Sequence, residues 1–171
     1  TNLSNNSAKD SSPVWSPDGT KIAFVSNRDG SYDLSTVNSD GTGWTRFINS
    51  SRDEYNPSWS PDGTKIAFMS IGADNIWRVY TTPSNGFNPT QVAENALEPS
   101  WSPDGTKIAL VTVGGNTFYN PPTDPSNNAS NQIKVIPANG GNPVLLASGF
   151  IPNWGESFRH IGSTPVGVPV S

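Results

Sequence analysis

Trp59–Phe68 reads WSPDGTKIAF, and the same ten letters occupy Trp15–Phe24. Trp101–Leu110 repeats them with one change, WSPDGTKIAL. Nine identical positions in ten, three times over, mark a repeat protein, and the period of the repeat bears on the fold. Trp15, Trp59 and Trp101 are almost evenly spaced along the chain. A degenerate copy at Pro152-Asn153-Trp154 follows after a longer interval and matches Pro13-Val14-Trp15, Pro57-Ser58-Trp59 and Pro99-Ser100-Trp101.

Each period divides into four short strands. In the first, Ser16-Pro17-Asp18-Gly19 has Ser at i, Pro at i+1 and Gly at i+3 of a type I turn. The turn separates a strand over 13–16 from the strand KIAFVS at 21–26, with further strands at 32–38 and 43–49. The second period predicts strands at 56–60, 65–70, 75–81 and 89–94, and the third at 98–102, 107–113, 131–137 and 142–147. Asp40-Gly41, Asn85-Gly86 and Gly140-Gly141 are the hairpin signals before each last strand.

The second strand of each period is diagnostic. Ile22, Ala23, Phe24 and Val25 are contiguous, so both of its faces are apolar, where a sheet with one wet face would alternate. A small antiparallel sheet greasy on front and back must lie between two others like it, and radial stacking of such sheets is a β-propeller. The expected fold is therefore all-β: four-stranded antiparallel blades, three complete plus a partial or shared fourth. Residues 1–12 read as the outer strand of a blade and its connection, 13–56 as blade 1, 57–98 as blade 2 and 99–151 as blade 3 with an insertion at 114–130. Residues 152–162 read as a degenerate partial blade and 163–171 as a Pro-rich arm. Thr1–Trp15 aligns without a gap on Thr45–Trp59, so that Leu3 matches Phe47.

The P-x-WSPDGTKIAF repeats resemble the WD-like repeats of TolB-type β-propellers over roughly residues 1–154. That resemblance implies a propeller like those of TolB, of prolyl-oligopeptidase-like peptidases and of many secreted bacterial and archaeal proteins. Such rings usually need about six blades, or roughly 250 residues. The family often carries an aromatic in the third strand; Trp77 keeps it and Ser35 departs from it.

Composition narrows the function. Net charge is −4 with no basic cluster, which removes the source of phosphate neutralisation and of a polybasic membrane patch. No run of 18 apolar residues suggests membrane insertion. Cysteine is absent and His160 is the single histidine, so neither a thiolate site nor a multi-His metal centre can be built. No nucleophile-elbow G-x-S-x-G occurs, and Gly114-Gly115 does not open a phosphate-binding helix. The sequence predicts no catalysis and no cofactor.

Asp18, Asp62 and Asp104 form a repeated set, but their place in the turn predicts backbone capping rather than a carboxylate site. Trp15, Trp59 and Trp101 are predicted to fill the gaps between blades rather than stack on sugars. Asn27-Arg28-Asp29-Gly30 with Asp33 faintly resembles a calcium loop but lacks its ligand spacing and reads as a turn. The remaining candidates lie in loops of one face: Asp53, Glu54 and Tyr55 in the connection 49–56, and Phe118 and Tyr119 in the long insertion. These five are the expected binding residues, for a protein partner or a glycan. The expected function is a non-catalytic extracellular or periplasmic module that binds a protein or assembles with copies of itself. The alternative is the substrate-gating propeller of a peptidase or other hydrolase whose catalytic domain is not in this chain.

Overall fold

The computed structural model describes residues 3, 6–48, 50–112, 132–142 and 144–148. The insertion with Phe118 and Tyr119, the expected partial blade with His160 and the Pro-rich arm lie outside the described residues.

Three four-stranded antiparallel sheets follow one another along the chain. Blade 1 is β1 (Asp10–Trp15), β2 (Lys21–Ser26), β3 (Asp33–Asn38) and β4 (Thr45–Arg46), in that spatial order. Blade 2 is β5 (Asp53–Trp59), β6 (Lys65–Ile71), β7 (Trp77–Pro83) and β8 (Thr90–Glu94). Blade 3 is β9 (Ala96–Trp101), β10 (Lys107–Thr112), β11 (Gln132–Pro137) and β12 (Val144–Ser148). No helix occurs among the described residues.

The WSPDG segment closes each first hairpin by one recurring set of bonds. Gly19 N–H donates to Ser16 O at 2.9 Å, the i to i+3 bond of the turn. Ser16 Oγ donates to Asp18 Oδ1 at 2.7 Å, and that same oxygen accepts the Thr20 amide at 3.0 Å and hydroxyl at 2.9 Å. The Lys21 amide returns to Ser16 Oγ at 2.9 Å. Ser60-Asp62-Thr64-Lys65 and Ser102-Asp104-Thr106-Lys107 repeat the pattern. The three aspartates are therefore turn caps. Hydrogen bonds from the serine and threonine lower the pKa of Asp18, and hold Asp62 and Asp104 at about 2.

The first strand of each blade begins earlier than the sequence suggests. Pro13, Pro57 and Pro99 lack an N–H and would end a regular strand. Here each sits in a bulge, where pairing skips from Ser11 to Val14, from Tyr55 to Ser58, and between Leu97 and Ser100. Ser12, Asn56 and Glu98 absorb the extra length at φ of 52°, 48° and 54°. Pairing therefore extends on the N-terminal side of the proline as well.

Packing follows the double-sided pattern. Blade 1 offers Val14, Ala23, Leu34, Phe47 and Ile48 to Trp59, Ile66, Phe68 and Tyr80 of blade 2. Blade 2 in turn offers Ala67, Met69, Val79 and Val92 to Trp101, Ile108, Leu110 and Ile136 of blade 3. The sheet-to-sheet contacts concentrate on β5 and β9, with β1 beside β5 and β5 beside β9. First strands converging while later strands fan out is the geometry of propeller blades around an axis.

Both seams are sealed by the end of one blade lying on the last hairpin of the next, and Leu3 lies on the last hairpin of blade 1 in the same way. A Cβ at Gly86 would strike the carbonyl of Phe47, one at Gly41 would lie 3.2 Å from Leu3 Cδ2, and one at Gly140 would lie 3.8 Å from Val92 Cγ1. Leu3, Phe47 and Val92 thus occupy corresponding places, and the match of Leu3 with Phe47 is the one that the gapless alignment of Thr1–Trp15 predicts.

Candidate functional site

The sequence places Asp53, Glu54 and Tyr55 in a connecting loop; the structure places them in β5, paired with Ile71, Ser70 and Met69 of β6. The bulge at Pro57 is the reason, because it lets the strand run past the proline. Strand alternation then separates the three side chains.

Asp53 and Tyr55 fall on one side. Asp53 Oδ1 accepts the backbone N–H of Tyr32 at 3.0 Å, and the Tyr55 hydroxyl donates to Asp53 Oδ2 at 3.4 Å. The Tyr55 ring lies 5.7 Å from Tyr32 and 5.8 Å from Trp77, centroid to centroid. A row of three aromatic rings, Tyr32–Tyr55–Trp77, therefore crosses from blade 1 into blade 2, with one carboxylate beside it. Burial, and then the charge of Asp53, push the Tyr55 hydroxyl up to about 12, so it remains a neutral donor at ordinary pH. Tyr32, Asp53 and Tyr55 are half-buried, and Trp77 is buried.

Glu54 turns the other way, and this corrects its expected role as a surface contact. It is 1% exposed. Its amide donates to Tyr32 O at 2.7 Å across the seam between blades 1 and 2. Its carboxyl accepts from Ser50 Oγ and faces the carboxyl of Asp33. Asp33, 2% exposed, is held from the far side by Arg46 Nη2 at 2.8 Å and Ser31 Oγ at 3.1 Å. Burial first, and Asp33 among the further causes, push Glu54 up to about 8. The Ser50 hydroxyl and the Leu34 backbone oppose the rise without cancelling it.

Other charges near this end are tied into the scaffold. Arg78 Nη2 bonds Asp74 at 2.7 Å and Glu94 at 2.9 Å. Arg52 Nη1 donates to the Tyr80 hydroxyl at 2.6 Å, and the Arg28 guanidinium lies 4.2 Å above the Trp44 ring. Asn27–Gly30 is a turn, as the sequence predicts: Gly30 N–H donates to Asn27 O at 3.1 Å and Lys9 N–H to Asn27 Oδ1 at 2.8 Å. Among the described residues no three His, Asp or Glu side chains converge as metal ligands would.

Sequence reasoning misses Tyr32, Arg46 and Ser50, and it names Asp33 only beside a turn and Trp77 only as the third-strand aromatic. The available signal is the aromatic residue at the entry to the third strand, Tyr32 just before β3 and Trp77 at the start of β7. Ser26 pairs with Asp33 and Ser70 with Arg78, so Tyr32 and Trp77 occupy corresponding positions. The same registers pair Ser35 with Phe24 and Tyr80 with Phe68. The counterpart of Ser35 is therefore Tyr80, not Trp77; the connection in blade 2 is one residue longer and shifts the match.

The tryptophans of the motif divide. Trp59 and Trp101 lie in the two seams, as predicted. Trp101 is 6% exposed, whereas Trp15 is 59% exposed. Trp15 departs from the expectation because no blade lies in front of blade 1 among the described residues.

Comparison with known proteins agrees with this architecture. A protein described as TolB from Agrobacterium tumefaciens superposes with a TM-score of 0.72 at 22% identity, covering 86% of this chain and 52% of that one. The β-propeller domain of the trilobed protease from Pyrococcus furiosus gives 0.56 at 16% identity, over 86% and 44%. An acylaminoacyl peptidase of Pyrococcus horikoshii gives 0.57 at 17% identity, over 82% and 25%. This chain thus spans about half the length of the TolB protein it matches. No curated protein matches it. The model of the TolB beta propeller domain matches residues 1–135, and the chain belongs to that family.

Proposed function

We propose that this chain is a non-catalytic interaction module, acting outside the cytoplasm, that associates blade to blade with a second copy of itself. The observation that carries this reading is Trp15. Its counterparts Trp59 and Trp101 cover the preceding blade, while Trp15 presents its indole to solvent at 59% exposure. The same face keeps Phe24 and Val37 buried, so the open part is the Trp15 end. An exposed aromatic at a position built for a seam is a site for another blade. The half-buried Tyr32, Tyr55 and Asp53 remain as a smaller contact patch on the loop face.

Light scattering on the purified chain tests the reading. A mass above that of a single chain is expected at micromolar concentration, falling to the monomer in Trp15→Lys. A strict monomer throughout that range overturns it, and so does an oligomer indifferent to Trp15→Lys.

A second reading is favoured by the protease and peptidase propellers among the similar structures. There this chain would gate substrate for a catalytic domain. A hydrolase domain encoded beside these blades supports that reading; blades followed by a Pro/Thr-rich linker or an anchor support the first.

A further inference from the structure

We propose that Asp33 and Glu54 share a single proton across the seam between blades 1 and 2, which makes that junction sensitive to pH. The proposal rests on hydrogen-bond bookkeeping independent of Trp15. Asp33 Oδ2 is occupied by Arg46 and Ser31, and Glu54 Oε1 by Ser50. Asp33 Oδ1 and Glu54 Oε2 are buried and make no hydrogen bond of ordinary geometry, the Leu34 backbone being only the least of the influences on Glu54. The Glu54 amide donates to Tyr32 O, the residue before Asp33, at 2.7 Å, and the Asp33 side chain is among the neighbours that raise Glu54. Two ionised carboxylates are acceptors only, so such a pair is satisfied when one of them carries a proton.

The charges around the pair decide where the proton sits. Arg46 on β4 lies against Asp33 at 2.8 Å and supplies the positive charge on that side of the pair. Glu54 has no cation of its own: Asp53 and Tyr55 flank it on β5, Tyr32 approaches from the β2–β3 connection, and Ser50 is neutral. Arg28 and Arg52, at the same end, are engaged with Trp44 and Tyr80. Glu54 is therefore the protonated partner and donates to Asp33, and burial pushes it up to about 8 in agreement with that assignment. A bound cation in place of the proton would sit next to the Arg46 guanidinium, which already supplies the positive charge.

The sign of the linkage follows. The folded chain keeps a proton that the unfolded chain releases near the ordinary value of 4.5. Stability from this group is fully present below that value and is lost as pH rises through about 8. One linked proton changes the folding constant by up to tenfold per pH unit. At higher pH, an ionised Glu54 lies buried beside Asp33 at the seam.

Urea unfolding between pH 5 and pH 9 on the full chain tests this, with Glu54→Gln alongside. An amide donates to Asp33 without titrating. The wild type should lose stability toward pH 8 and then level off, and Glu54→Gln should remove most of that slope. Equal slopes in the two proteins overturn the proposal. Should Glu54→Gln fail to fold, carbon-detected NMR titration of the wild-type carboxyls decides: a Glu54 midpoint well above the ordinary range supports it, and one near 4.5 overturns it. Stabilisation of the wild type by added calcium at pH 8, absent in Glu54→Gln, also overturns it, since the pair would then be a cation site.

Discussion

Ser60 shows how much a short side chain can organise. Its hydroxyl donates to Asp62 at 2.6 Å, lies 3.1 Å from Lys65 O and receives the Lys65 amide at 2.9 Å, all while buried. Ser60→Ala keeps the backbone turn but strands the Lys65 amide and removes the aspartate's strongest partner. Leaving such a group unsatisfied should cost about 1–3 kcal/mol in chemical denaturation. Ser16→Ala and Ser102→Ala should fall close to Ser60→Ala because their bonds are the same. Three clearly unequal values would show that the turns, though identical in sequence, are not energetically equivalent. Gly86 is constrained by space as well as by its φ of 83°. A methyl group there meets the Phe47 carbonyl, whereas one at Gly19 meets nothing within 4 Å. Gly19→Ala should cost about 1–2 kcal/mol from left-handed backbone alone. Gly86→Ala should cost clearly more, since the last hairpin of blade 2 must draw away from the end of blade 1.

At the scale of the element, one motif position has two environments. Trp101 fills the seam between blades 2 and 3, and its truncation to alanine should cost about 3–5 kcal/mol. Trp15→Ala, on the open side of blade 1, should cost only a small fraction of that in dilute protein, as exposed substitutions do. Urea midpoints of the two variants give the comparison, and a costly Trp15→Ala in the monomer would mean the indole is covered in solution. Much of this layer is legible in the sequence. The exact repeat locates the turns, contiguous apolar residues in β2, β6 and β10 predict burial on both faces, and alignment of Leu3 on Phe47 predicts where the chain start docks. The start of each first strand is not legible, because proline normally ends pairing and only a bulge reverses that rule. That single rule misplaces Asp53, Glu54 and Tyr55, and it makes the buried Glu54 look like a surface contact. Its partner Asp33 opens β3 of the preceding blade, where the matching position of blade 2 holds Arg78, so periodicity carries no trace of the pair.

Across the whole molecule, two sets of carboxyl groups act in opposite directions on stability. The turn aspartates Asp62 and Asp104 titrate at about 2 when folded against 3.8 when unfolded, and Asp18 is lowered likewise. Their contribution is present above the unfolded value and is lost as pH falls through about 2. Glu54 is raised to about 8 from 4.5, and Glu98 is raised by burial against an opposing bond from Asn56. Their contribution is greatest in acid and declines as pH climbs past 4.5. Folding should therefore be most favourable near pH 4–5 and weaken on both sides, an acid optimum set by the seam rather than by net charge. Thermal unfolding from pH 2 to pH 9 at constant ionic strength measures this. Glu54→Gln should move the optimum toward neutrality by flattening only the upper limb. Replacing Asp62 and Asp104 together by asparagine should flatten only the lower one. An optimum that stays in place through both changes would mean that neither the turns nor the carboxyl pair governs how this propeller responds to pH.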